Sequence, residues 1–250
     1  KHLSALIVVH VFGNAVFMDD LIDVCNKANI KIIEDACESL GTFYSKGRFK
    51  GRHTGTIGEI GCFSFNGNKI VTAGGGGAVI SNNGELIKKI KYLSTQAKDN
   101  SFTYEHNEIG YNYRLTNLQA AVGLAQLEQI EDFLSHKYLL HNEYGTRLKD
   151  NDCYSLLIAP EYCRSNYWLN IISSNKFKND YRDTLIQKFA KKNIEVRPIW
   201  KLNNQQKPYL RNQSYKVERA NKLISNSICL PSGVGINLED VQRICILLDE

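Results

Sequence analysis

Lys69 lies between a short apolar stretch that ends in Ser64 and Phe65 and four consecutive glycines, Gly74 to Gly77. An amine at the end of a strand, beside backbone that can approach a ligand closely, is suited to a Schiff base. Upstream, the run IKII (Ile30 to Ile33) stops at two acids, Glu34 and Asp35. A carboxylate at the carboxyl end of a parallel strand lies where open α/β sheets bind ligands. Taken alone, Asp35 would serve equally well as the cap of a following helix. Paired with Lys69 it points to a pyridine ring. A carboxylate keeps the ring nitrogen protonated, and the protonated ring can hold the electron pair released when a Cα proton leaves. The pair implies pyridoxal phosphate.

The elements that must position these groups are legible as periodicity. A strand over Ala5 to Val11, a helix over Met18 to Asn29 and a strand over Lys31 to Glu34 form a βαβ unit, with Met18, Leu21, Ile22, Cys25 and Ala28 on one helix face. Gly61 to Phe65 and Gly77 to Ser81 read as strands around the lysine loop, and Glu85 to Thr95 as a helix. From Thr116 to Leu148 the pattern predicts one bent helix crossing between domains, with a boundary near residue 130. Beyond it, strands Trp168 to Ile172 and Glu195 to Pro198 and helices Tyr181 to Lys191 and Leu238 to Leu248 alternate as in a small α+β domain. The polar stretch Asn203 to Gln213 reads as an exposed loop.

The chain has 250 residues, 43% of them hydrophobic, enough for a sizeable core. Its net charge of +5 is dispersed, with no basic block interleaved with aromatics, which argues against nucleic acid and suits an anionic small substrate. Seven cysteines show no zinc spacing, so no metal is expected and reduced core thiols in a cytoplasmic protein are. No apolar run is long enough for a membrane span. A chain that starts at Lys1 and enters a strand within a few residues reads as lacking an N-terminal portion, with its C-terminus complete.

Four stretches carry a resemblance: HVFGNAVFMDDL (His10 to Leu21), EDACESLGTFYSKGR (Glu34 to Arg48), FSFNGNKIVTAGGGGAVISN (Phe63 to Asn82) and HNEIGYNYRLTNLQAAVGLAQLEQ (His106 to Gln129). In order and spacing they resemble the DegT/DnrJ/EryC1/StrS family of nucleotide-sugar aminotransferases. The resemblance runs from His10 to the C-terminus. It implies an α/β fold of the pyridoxal phosphate-dependent fold type I: a partial large domain with a mostly parallel sheet over residues 1–130 and a small α+β domain over 131–250. The missing portion would carry a Gly/Ser/Thr turn for the cofactor phosphate and an aromatic stacked on its ring.

The resemblance further implies that Lys69 holds pyridoxal phosphate covalently and then moves a proton between Cα and C4′. Asp35 would meet the ring nitrogen, Glu38 the ring hydroxyl side, where many relatives carry Gln or His, and Ser64 the phosphate. Asn112 or Arg114 would reach the cofactor phosphate of a neighbouring subunit, making a homodimer part of the site. RPIWKLNNQQKPY (Arg197 to Tyr209) resembles a segment lining the nucleotide-sugar pocket and brings in Trp200 and Asn204, the latter where relatives usually place a histidine. The wording EDACESLG, FNGNK and TQAK is closest to the branch that moves an amino group, from glutamate by family habit, to the 4-keto group of a UDP-linked 4-keto-6-deoxy-N-acetylhexosamine on routes to nonulosonic acids. A transaminase for another keto-sugar, such as a GDP-linked one, and an inactive binding or assembly subunit are the alternatives.

Plainer readings stand beside these. Lys69 could be a solvated surface lysine, Glu38 a solvated helix acid, Ser64 a strand serine bonded to backbone, and Arg114 a helix-entry ion pair. His10 reads as a satisfied structural histidine. The glycine run lacks the strand-before, helix-after setting of a dinucleotide fingerprint.

Overall fold

The computed structural model describes residues 3–100, 102–174 and 179–250, and the side chains of all of these except 179 and 180. The chain divides into two compact units, residues 1–134 with 159–168, and residues 135–158 with 169–250.

In the first unit, β1 (Ala5–Val9), β2 (Lys31–Asp35), β4 (Ile60–Ser64) and β5 (Gly77–Ile80) form one sheet in that order. The first three strands are parallel and β5 closes the edge antiparallel. Asp35 pairs with Val9 on one side and Cys62 on the other. Side chains alternate across the sheet, so Ile32 and Glu34 point into the buried layer while Ile33 and Asp35 take the opposite, half-buried face. That single register step separates the two neighbouring acids into different environments.

α1 (Asp19–Lys27) connects β1 to β2 and buries Cys25 and the preceding Met18 against Val8, Ile32 and Tyr44. It carries Asp19 and Asp20 in its first turn and Lys27 in its last, in line with the helix dipole. It stops short of the expected Asn29 because that residue adopts φ +52°, a left-handed conformation that ends a helix. A two-stranded ribbon pairs β3 (Phe43–Tyr44) with β7 (Cys163–Arg164), which brings residues 159–168 into this unit. α2 (Gly84–Ser94) is capped by the Asn83 side chain and α3 (Asn117–Leu127) by a Thr116/Gln119 capping box.

The single helix expected over Thr116 to Leu148 is two: α3 ends at Leu127, and α4 (Ile130–Leu148) starts afresh. Gln129 makes the break. Its side-chain Nε2 donates to the Ala125 carbonyl, while its backbone N–H turns to Gln126 instead. Apolar periodicity persists through the break, which is why the sequence reads as continuous.

In the second unit, β6 (Ser155–Leu156), β8 (Asn170–Ser173), β10 (Ser227–Leu230) and β9 (Arg197–Pro198) form an antiparallel sheet in that order. α4, α5 (Asn179–Lys191) and α7 (Leu238–Asp249) supply Leu140, Tyr144, Leu185, Phe189, Val241 and Ile244 to a core shared with Ile172, Ile228 and Leu230. α6 (Glu218–Ser225) leads into β10, and α7 starts from an Asn237/Asp240 capping box. Four of the seven cysteines, Cys25, Cys163, Cys229 and Cys245, are buried.

Candidate active site

The carboxyl ends of β2 and β4 converge on one narrow cleft in the first unit. It is lined by Cys37, Glu38, Ser64, Lys69, Ile70, Asn166 and Trp168. Asp35, the last residue of β2, stands beside it and accepts the Cys37 backbone N–H at 3.1 Å. No α-helix follows Asp35. Ser39 N–H donates to Ala36 and Thr42 N–H to Ser39, so the chain leaves the strand through successive turns. The following helix that Asp35 could have capped is therefore absent, and Glu38 is brought into the cleft by turns.

Glu38 is half-buried and takes the Phe12 backbone N–H on Oε2 at 2.7 Å. Burial raises its pKa, opposed by that hydrogen bond and by the Lys69 ammonium, and supported by the negative charge of Asp35. Cys37 is pushed up to about 12, first by burial and then by its hydrogen bond to Asp35 and that carboxylate's charge, with Lys69 acting in the opposite direction. Lys69 and Asp35 thus act on the same two side chains. Phe12 holds φ +58°, and a side chain on the adjacent Gly13, at φ +88°, would run into Asn166. Glycine is required there, and the backbone strain places an N–H at Glu38.

Lys69 rides on a loop closed at its neck. Ser64 pairs with Gly77, Phe65 N–H donates to Gly76, and Ala73 N–H donates back to Phe65. Gly76 has φ +83°, a left-handed conformation that favours glycine, and a Cβ there would displace the Leu115 side chain. Ser64 Oγ accepts the Asn66 N–H at 3.3 Å, which leaves its own hydrogen free to aim elsewhere. Lys69 Nζ stands 4.1 Å from the centroid of the Trp168 ring.

Two acids in sequence have two fates. Glu34 is fully buried, with Oε2 accepting from His10 Nε2 at 2.9 Å and Gly55 N–H at 2.8 Å, and Oε1 from Ile57 and Gly58 N–H at 2.6 and 2.5 Å. His10 Nδ1 accepts the Val16 N–H at 3.1 Å, so Nε2 carries the hydrogen given to Glu34. Both are structural, as expected for His10.

The remaining sequence candidates lie outside the cleft lining. Asn112 pairs with Thr95 in an isolated bridge and is exposed, as is Arg114. Tyr111 and Tyr113 stack on each other at 5.1 Å. In the second unit, Trp200 is 50% exposed and lines a separate cleft with Arg197, Lys201, Gln205 and Lys222. Asn204 lies in a short 3-10 turn and is not part of that lining. Sequence reasoning missed Asn166 and Trp168 as cleft residues. Nothing local marks them, because they reach the site only through the β3/β7 ribbon.

The fold is that of the fold-type I aminotransferases, an α/β architecture whose ligand cleft opens at the carboxyl ends of parallel strands. Residues 1–249 match the DegT/DnrJ/EryC1/StrS aminotransferase family, and the chain belongs to it. EpsN of Bacillus subtilis, provisionally named a pyridoxal phosphate-dependent aminotransferase, is 36% identical over 98% of this chain and 62% of its own length. GDP-perosamine synthase of Escherichia coli O157:H7 is 32% identical over 99% of this chain and 65% of its own. Among solved structures, PseC of Helicobacter pylori, an aminotransferase involved in the biosynthesis of pseudoaminic acid, superposes with a TM-score of 0.88 at 25% identity, covering 98% of this chain and 66% of its own. The chain thus spans a little under two thirds of the length of these curated relatives.

Proposed function

We propose that the chain is the larger part of a pyridoxal phosphate-dependent aminotransferase that places an amino group on the keto carbon of a nucleotide-linked sugar. The observation that carries this is the convergence of Lys69, Glu38 and Ser64 on one cleft, with Asp35 at the adjoining strand end. The donor set fits the coenzyme. Lys69 would hold its aldehyde carbon, Asp35 would meet its ring nitrogen and Ser64 its phosphate, beside a glycine-rich neck that lets backbone come close. When bound, the coenzyme supplies the electron sink for breaking a Cα–H bond.

The chain's own residues do the rest. The Lys69 amine would hold the coenzyme and, as a free amine, would move the proton from the donor's Cα. Asp35 keeps a positive ring nitrogen charged by placing an anion against it. Ser64 donates its free hydrogen to a phosphate oxygen. Glu38, held by the Phe12 N–H, accepts from or donates to the ring's oxygen side. Asn112 or Arg114 from a second copy would complete the phosphate contacts in a homodimer, and Trp200 and Asn204 would meet the nucleotide sugar. A cytoplasmic location goes with this reading; among the described residues no helix is long and apolar enough to cross a membrane, and no group of three or more His, Cys, Asp or Glu side chains could hold a metal ion.

For the substrate, the reading is a UDP-linked 4-keto-6-deoxy-N-acetylhexosamine with glutamate as donor, supported by the EDACESLG, FNGNK and TQAK wording. A GDP-linked keto-sugar is the second reading, favoured by the 30 to 32% identity to three GDP-perosamine synthases against 28% to two UDP-4-amino-4,6-dideoxy-N-acetyl-beta-L-altrosamine transaminases. Mixing the protein with pyridoxal phosphate should give a visible absorption band, fixed by borohydride onto the Lys69 peptide and missing from Lys69→Ala. Absence of the band in a chain extended to its relatives' length would turn the reading toward a binding subunit. A panel of UDP- and GDP-linked keto-sugars then separates the two substrate readings.

A further inference from the structure

We propose that Trp168 is a positioning residue for Lys69, fixing both the backbone beneath the lysine and the charged end of its side chain; the assignment rests on the reading of Lys69 as the coenzyme lysine. The loop that carries Lys69 contains Gly67 and Gly74 to Gly76, and glycine-rich backbone holds a side chain poorly by itself. Within the loop the Lys69 N–H donates to the Asn66 carbonyl at 3.0 Å, and a further hold comes from outside it. The indole Nε1–H of Trp168 donates to the carbonyl of Asn68, the residue just before the lysine, at 2.8 Å. The face of the same ring lies 4.1 Å from Lys69 Nζ, well within the range where an ammonium is attracted by the ring's electron-rich face. One side chain therefore grips two consecutive residues at their two ends.

Trp168 is itself held firmly. It is 4% exposed, and its backbone N–H donates to Asn166 Oδ1 at 2.9 Å. Asn166, 2% exposed, donates through Nδ2 to the carbonyls of Glu38 and Leu40 at 2.9 and 2.8 Å, and its own backbone N–H donates to Thr42 Oγ1 at 3.0 Å. The frame that orients the indole also carries the backbone of Glu38. Lys69 and Glu38 are in this way referred to one rigid support. A lysine that must let go of the coenzyme and later reattach needs a resting place inside the cleft, and the indole face provides one for its cationic form.

The chain has two tryptophans, so a Trp200→Phe background leaves Trp168 as the sole indole emitter. An ammonium against an indole quenches its excited state by proton donation. Replacing Lys69 by Met should therefore raise Trp168 emission while leaving the indole in place, and unchanged emission overturns the proposal. A double-mutant cycle between Lys69→Met and Trp168→Leu, read by circular dichroism during urea unfolding, should show a coupling of about two- to thirty-fold in the unfolding equilibrium constant. No coupling overturns it as well. Trp168→Phe, which keeps a ring face and loses the N–H, should retain part of that coupling to Lys69, so that its cycle with Lys69→Met is smaller than the one made with Trp168→Leu; cycles of equal size would overturn the contact between ammonium and ring face.

Neither measurement needs the coenzyme. A protein that takes up no pyridoxal phosphate would defeat the functional reading and leave the emission and coupling results to decide the contact. In a chain that does take it up, borohydride-trapped attachment at Lys69 should be slower in Trp168→Leu than in Trp168→Phe, and slower in both than in the parent. Rates equal to or above the parent's would overturn the positioning role.

Discussion

Replacing Glu34 by Gln tests whether the cleft is built on a buried charge. The carboxylate has no exposure and accepts four hydrogen bonds, two on each oxygen. A glutamine of the same shape must turn its NH₂ toward one pair. Facing Ile57 and Gly58 it meets two backbone N–H groups, and facing the other way it meets Gly55 N–H and the hydrogen on His10 Nε2. No flip avoids two donor-against-donor contacts in a buried setting. Stranding donors of this kind costs about 1 to 3 kcal/mol each, so the variant should lose about 3 to 5 kcal/mol. That is a large part of the roughly 5 to 15 kcal/mol that holds a typical domain together.

The pH dependence follows from the same contacts. Burial pushes the Glu34 pKa up, but the hydrogen bonds from His10, Gly58, Gly55 and Ile57 more than offset it, and the carboxyl ends below its ordinary 4.5. The unfolded chain then binds the proton more readily, so stability from the ionised form is complete above about pH 4.5 and is lost as pH falls through the lower folded value. The gap between parent and Glu34→Gln should be widest near neutrality and narrow in acid. Urea unfolding followed by Trp168 emission, in a Trp200→Phe background, reports on the unit concerned. A variant within about 1 kcal/mol of the parent at pH 7 would refute the reasoning, because it would mean that Glu34 contributes little beyond filling space.

Two further outcomes are expected. The Cys37 thiol, with its pKa at about 12, should resist alkylation at pH 8, and Asp35→Asn should make it react faster by removing a negative charge and weakening a hydrogen bond; peptide masses after timed iodoacetamide treatment would show an unchanged rate if Asp35 does not act on it. Lys137, buried on α4 with its ammonium nitrogen donating to the Ser232 carbonyl, is lowered to about 7 by burial. Its unfolded value is higher, so the second unit should gain up to a few kcal/mol of stability as pH rises from about 7 to 10.5, and Lys137→Met should flatten that slope in pH-dependent unfolding.

Much of this architecture is legible in the sequence where one physical signal dominates. β2 and α1 announce themselves through alternation and a clean apolar face, and the two acids ending β2 mark a strand terminus. What the sequence hides has specific causes. The break at Gln129 leaves apolar spacing intact and depends on a side chain capturing one carbonyl. β10, Ser227 to Leu230, is buried on every residue and so shows no alternation. The two-residue strands β3 and β7 are too short to leave any period, yet they bring Asn166 and Trp168 to the cleft. Glu38 comes beside Asp35 through turns, since Ala36 and Ser39 carbonyls are taken by N–H groups three residues on. In the cleft, residue types near Lys69 could be read locally; the wall facing it could not.

That wall has a consequence for how the molecule is made. Lys69 emerges from the ribosome about a hundred residues ahead of Trp168 and Asn166. At ordinary elongation rates of about 5–20 residues per second, the nascent lysine loop waits roughly 5 to 20 s before its supporting indole exists. On the roles proposed for Lys69 and Trp168, the growing polypeptide would carry its reactive amine during that interval without the side chain that orients it, and premature capture of an aldehyde there would be ungoverned by the finished geometry. The wall of the cleft is complete only once about a hundred residues beyond Lys69 have been synthesised.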